Sequence, residues 1–179
     1  MEELFWRYLI YGFFGFLLEV ALAWATRNPK QDRKCHLLLP VCPVYGAGAL
    51  LIAALPAAVK ARPLLLFLAG AGAATAAEWA FALFYERFAA PFWDYRSLPL
   101  NLKGRVCLLF SLIWGGLSLP MVYWVEPLLS RAIGAIPPQL ILPTLAFYLG
   151  DAILSLALLR QGGTEALRWP RLFPRRAHS

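Results

Sequence analysis

Residues Phe5 to Ala25 read FWRYLIYGFFGFLLEVALAWA, and only Arg7 and Glu19 in this stretch carry charge. A helix needs ~20 mostly apolar residues to cross ~30 Å of hydrocarbon, and this run supplies them. It lacks the alternation of a barrel strand, and lipid offers no partner to an open backbone N–H or C=O, so it reads as a spanning helix. Glu2 and Glu3 precede it where a secretory leader would be basic, which argues against a signal peptide.

Four more runs of the same kind follow, at 43–59, 63–85, 106–125 and 138–159. The expected fold is therefore all-α: a polytopic membrane bundle of five transmembrane helices within a domain at 1–160. Residues 86–104 form an interfacial or re-entrant segment, and 161–179 form a basic tail. Prolines 29, 63, 91, 99, 137 and 138 fall at or near run ends, where a missing N–H costs little. Pro56, Pro120 and Pro143 lie inside runs, as membrane helices tolerate when neighbours satisfy the freed carbonyls.

Composition agrees. Of 179 residues, 60% are hydrophobic and 15% charged, against ~45–50% and ~25% in soluble domains, so a soluble globule is excluded. The net charge of +7 raises nucleic acid as a partner, but the basic residues sit between apolar runs, where topology accounts for them. Arg7, Lys60, Arg62 and Arg131 fall on one side of the membrane. The other side collects Arg27, Lys30, Arg33 and Lys34, then Arg87, Arg96, Lys103 and Arg105, then Arg160, Arg168, Arg171, Arg175 and Arg176. By the positive-inside rule this predicts an outside N-terminus and a cytoplasmic C-terminus in a bacterial inner membrane. The tail mixes its arginines with Leu167, Trp169, Leu172 and Phe173. It suits either a segment lying on anionic lipid or a disordered stretch that only enforces orientation.

The acids inside the runs carry the most information. A charge at the centre of a spanning helix costs ~2.5–3.5 kcal/mol on the insertion scale. Glu19, Glu78 and Asp151 lie about 9, 11 and 12 Å from the cytoplasmic ends of their helices at 1.5 Å per residue, which puts all three in one layer. Gly12 and Gly15 share a face with Glu19, Gly70 and Ala74 with Glu78, and Thr144 and Ser155 with Asp151. Such faces pack helix on helix in lipid, so the carboxylates are expected to point into a common polar pocket. Arg105 and Ser111 supply its opposing side in this reading. The competing reading is that these groups only fix helix register.

Phe92, Trp93 and Tyr95 suit the headgroup level, with Asp94, Arg96 and Asn101 at the pocket mouth. Here the chain resembles a known family. Trp93-Asp94-Tyr95-Arg96 with Pro99, Asn101, Gly104-Arg105, Cys107-Leu108, Ser111 and Trp114-Gly115 is similar to the signature of the CmpB-like ABC-transporter type IV membrane proteins. So is Tyr11-Gly12-Phe13 with Glu19, followed by Pro40-Val41-Cys42-Pro43-Val44-Tyr45-Gly46. The resemblance spans about residues 8–118. Cys35 and Leu39 stand where the pattern has glycines, and Lys103 where an amide is common. The resemblance implies a membrane permease. The chain has no Gly-rich phosphate loop, so an ATPase would be a separate chain; five helices also make a small permease unless it forms a homo-oligomer.

Cys35, His36, Cys42 and Cys107 fall near the cytoplasmic face, where thiols stay reduced. Their spacing fits no standard zinc pattern, so neither a metal nor another cofactor is expected. His178 has no visible partner, and no Ser-His-Asp grouping can be assembled at a suitable depth. The expected function is a transporter or permease whose carboxylate pocket, open to the cytoplasm, binds a cation, proton or polar solute. The alternatives are a membrane-embedded enzyme on lipid headgroups, with an acid as proton donor or acceptor and Arg96 and Arg105 on a phosphate, or a non-catalytic subunit.

Overall fold

The computed structural model describes residues 2–25 and 35–167. The topology residues Arg27, Lys30, Arg33 and Lys34, and the tail from Arg168 with His178, lie outside the described residues. Helix α1 is Glu2–Ala25, α2 Pro43–Ala53, α3 Ala57–Lys60, α4 Pro63–Phe88, α5 Leu108–Pro120, α6 Glu126–Gly134 and α7 Ile141–Gly162. Among the described residues, four helical stretches are long and apolar enough to cross a membrane: Glu2–Ala25, Pro63–Phe88, Leu108–Gly134 and Pro138–Leu167. The chain is an all-α, multi-pass membrane protein. Its surface agrees, since Leu64, Trp124, Leu142 and Ile153 are each about 70% exposed, a display only lipid would cover favourably.

The second run does not become one helix. α2 has 11 residues, about 16 Å at 1.5 Å each, half the thickness of a bilayer core. Pro56 stops it, with an extended backbone (φ −56°, ψ 146°) at the start of the four-residue α3. Its ring has no N–H to extend the ladder, and it biases the preceding residue away from helix. The chain before α2 completes the layer instead. Residues 39–42 come back alongside α1, and Cys42 N–H donates to Gly12 C=O at 2.9 Å, midway along α1. α2 then runs antiparallel to α1, with Gly46 against Tyr8, and to α4, with Gly48 against Ala74. A Cβ on Gly12 or Gly46 would meet Val41 or the Tyr8 carbonyl at 2.5 Å, so these two positions require glycine for helix contact.

Two more boundaries differ from expectation. Val106 belongs to a two-residue strand, Val106–Cys107 (β2), paired antiparallel with Asn101–Leu102 (β1), so α5 begins after it. At the far end of α5, Pro120 leaves a carbonyl without its donor. The ladder slips to a π turn at Met121–Val125 and continues as α6 rather than ending near Val125. One core cluster joins Tyr11, Ile52, Leu66, Ala74, Met121 and Ile133, and a second joins Tyr85, Phe92, Leu159 and Leu167. α4 runs in the direction of α1 through their common antiparallel neighbour α2, and Tyr8 on α1 shares a hydrogen bond of 2.6 Å with Tyr148 on α7.

Candidate polar cavity

Glu19 on α1 and Glu78 on α4 line one cavity of about 60 Å³. Each accepts a phenol. Tyr45 Oη, one turn into α2, donates to Glu19 Oε1 at 2.7 Å, and Tyr95 Oη, from the 89–107 segment, donates to Glu78 Oε1 at 2.7 Å. Gly15 makes the first contact possible, because Tyr45 lies where its side chain would stand. Burial, and then the facing Glu78 carboxylate, push the Tyr95 phenol above its ordinary pKa, which keeps it protonated as a donor.

The remaining walls come from Trp93, Phe110, Trp114, Cys35 and Cys42. Trp114 packs on Tyr45 with ring centroids 4.7 Å apart, and Tyr95 stacks on Phe110 at 4.9 Å. Glu78 is 4% exposed, and its Oε2 has no hydrogen-bond partner. The Trp114 indole is near enough to act on that carboxyl, but its N–H does not reach hydrogen-bond geometry and is likewise unpartnered. Among the described residues, neither lysine nor arginine lines the cavity.

The segment carrying Tyr95 is held by its own polar groups. Asn101 Nδ2 donates to Leu98 C=O at 2.8 Å and its Oδ1 accepts from Gly104 N–H at 3.0 Å. Trp93 Nε1 donates to Arg105 C=O and Tyr95 N–H to Gly104 C=O, both at 2.8 Å. Gly104 has φ +72°, and a Cβ there would strike Asp94 Oδ1 at 2.6 Å, so the hairpin needs glycine on both counts. Asp94 accepts from Arg96 N–H at 2.9 Å, and the Arg96 side chain is 80% exposed.

Three of the expected pocket residues stand elsewhere. Arg105 pairs with Glu86, Nη2 to Oε2 at 2.7 Å, and lies over the Trp79 ring. Ser111 donates to Cys107 C=O at 3.1 Å and accepts from Thr75 Oγ1 at 2.8 Å. Asp151 accepts from the peptide N–H groups of Leu38 and Leu39 at 3.0 and 2.8 Å, fastening the chain before α2 to α7. Ser155 Oγ, one turn on, accepts from Leu37 N–H at 2.8 Å. His36 is buried beside Asp151, with Nδ1 3.7 Å from Oδ2.

Tyr45 was not among the expected site residues. Its signal was the Pro43-Val44-Tyr45-Gly46 string, which opens a helix with a phenol one turn from its start. Among the described residues, no set of three His, Cys, Asp or Glu side chains could hold a metal. Cys35 Sγ donates to Cys42 Sγ at 3.6 Å.

Residues 6–156 match the model of the family described as "Putative ABC-transporter type IV". The chain belongs to this family. The match takes in Glu19, Glu78, Asp151 and the whole 89–107 segment, and reaches past the 8–118 stretch that carries the recognisable motifs. No curated protein and no solved structure matches the chain. Membership of an ABC-transporter-type family, together with its apolar helices, makes this chain an integral membrane protein of transporter type.

Proposed function

We propose that the chain is the membrane component of a transporter and that the Glu19–Glu78 cavity binds a small cation or the donor-bearing end of a larger solute. The observation that carries this reading is Glu78 Oε2, a buried carboxylate oxygen without a partner in a cavity to which the described residues bring no cation. An unpaired charge away from water costs several kcal/mol, and a bound ammonium or metal cation offsets that cost. The cavity has room for about two water-sized groups, at ~30 Å³ each. Phosphate chemistry has less support, because Arg105 is taken by Glu86 and Arg96 points to the outside of the segment.

In this reading the chain crosses the membrane five times. Residues 35–60 make the second crossing, as an extended entry to the level of Gly12 followed by α2 and α3. Broken crossings of this kind line solute sites in other transporters, because irregular backbone at membrane depth survives only where protein or a cavity covers it. The N-terminus lies outside and the C-terminus in the cytoplasm of a bacterial inner membrane, in line with the distribution of Lys and Arg. The cavity opens to that same side, with a separate ATPase chain or a second copy completing the machine.

Glu78→Gln tests the reading, since it keeps size and shape while removing charge. With methylammonium as probe, binding to the purified variant is expected to fall at least about tenfold, as a charge-assisted hydrogen bond is worth ~1.5–3 kcal/mol. Unchanged binding in a normally expressed variant would overturn it.

A further inference from the structure

A second, much larger cavity adjoins the first. It measures about 760 Å³, within the ~300–1,000 Å³ usual for ligand sites. Phe14, Leu17 and Leu18 of α1 form one wall and Leu117, Met121 and Leu128 of the α5–α6 stretch the other. The floor is α2, with Ala49 and Ile52. The groove exists because α2 is short and its neighbours are long: α1 and the α5–α6 stretch stand apart over it. Its rim residues Phe14, Leu17, Leu18 and Leu128 are exposed, so in a bilayer it opens sideways to lipid.

Two side chains, Tyr45 and Trp114, line both cavities. They stand where the two cavities meet, with ring centroids 4.7 Å apart. Tyr45 also holds Glu19 at this seam, and Gly15 and Glu19, four residues apart on one helix stripe, face the groove and the acid cavity respectively. Among the described residues, the carboxylates Glu19 and Glu78 are the charged groups at the polar end of the combined space, and the long end is apolar.

The geometry points to one site made of both cavities, whose ligand is a hydrocarbon-tailed amine: the tail lies in the groove and the ammonium at Glu78 and Glu19. This rests on the proposed function and names the substrate class. Charge complementarity selects the ammonium head, since among the described residues no lysine or arginine lines either cavity and a carboxylate or phosphate head would meet two acids at short range. The small acid cavity alone admits a head without its tail, and the groove provides for the tail. Entry is lateral, from the membrane.

The test uses the full chain in nanodiscs with dodecylamine and dodecanoate probes, each carrying a diazirine near the tail end, and radiolabelled methylammonium. The amine probe is expected to label the 117–132 and 14–21 stretches, with labelling about tenfold above that of the dodecanoate probe. Glu78→Gln removes that preference. Ala49→Phe and Ala21→Trp, which fill the floor and the rim of the groove, suppress labelling while methylammonium binding persists, which also shows that these variants fold. Equal labelling by amine and carboxylate probes overturns the ammonium head. Methylammonium binding that depends on Glu78, with no labelling of the groove, overturns this inference and leaves the proposed function standing. Absence of methylammonium binding in the native chain removes the proposed function itself.

Discussion

Two ends of α1 meet glutamates in nearly the same way and with opposite outcomes. Toward its start, Tyr11 Oη donates to Glu126 Oε2 at 2.6 Å, and Arg7 Nε closes on Oε1 at 2.7 Å, with Glu3 and Ser130 completing the group. Toward its end, Tyr45 donates to Glu19 and Tyr95 to Glu78 with similar lengths, yet among the described residues no cation joins them and one oxygen of Glu78 stays unpartnered. Asp151 belongs with the first kind, since peptide N–H groups saturate it. Saturated acids hold parts together, whereas an acid left open in a dry cavity is stabilised by whatever cation binds there.

The contrast can be broken at the saturated acids first. Asp151→Ala leaves the Leu38 and Leu39 N–H groups without their acceptor and is expected to cost about 2–3 kcal/mol. Thermal unfolding in detergent reads this, and faster alkylation of Cys35 and Cys42 reports the loosened entry segment. Arg7→Leu leaves Glu126 half-buried without its cation, for a loss of about 2 kcal/mol by the same measurement. If the comparison holds, Glu78→Gln changes stability by less than about 0.5 kcal/mol in either direction while removing cation binding. A collapse of stability instead would move Glu78 into the structural class.

The smallest effect belongs to Arg96→Ala. Its exposed side chain meets only the exposed Asp94, and its loss is expected to stay within about 0.5 kcal/mol and leave probe binding intact.

The sequence reveals height in the membrane better than direction. Counting residues from helix ends puts Glu19, Glu78 and Asp151 in a common layer, and stripes of small residues indicate that each faces protein. Which protein surface each faces depends on the path of 35–42, and a short stretch such as Leu37-Leu38-Leu39 gives no sign that its N–H groups lie at Asp151. The break in the second run follows from Pro56, but apolar composition on both sides concealed it. Arg105 sits one loop away from Glu86 and from the cavity alike, and only the β1–β2 hairpin decides between them. The fourth apolar run reads as ending at Val125. The helix carries on because Glu126 finds Arg7 and Tyr11 there.

The π turn at Met121–Val125 has a geometric effect on everything after it. On one side of the turn Ser118 is buried against Gly70 of α4; on the other Glu126 meets Arg7 of α1. An α-helix turns about 100° per residue, so the wider π turn works as a phase adjuster between two neighbours that a regular helix would not face together. Apolar substitutions at exposed Tyr123 or Trp124 would preserve that phase. Deleting one residue within 121–125 would rotate Glu126 toward lipid and strand Arg7, coupling the far ends of this chain through the length of a single turn.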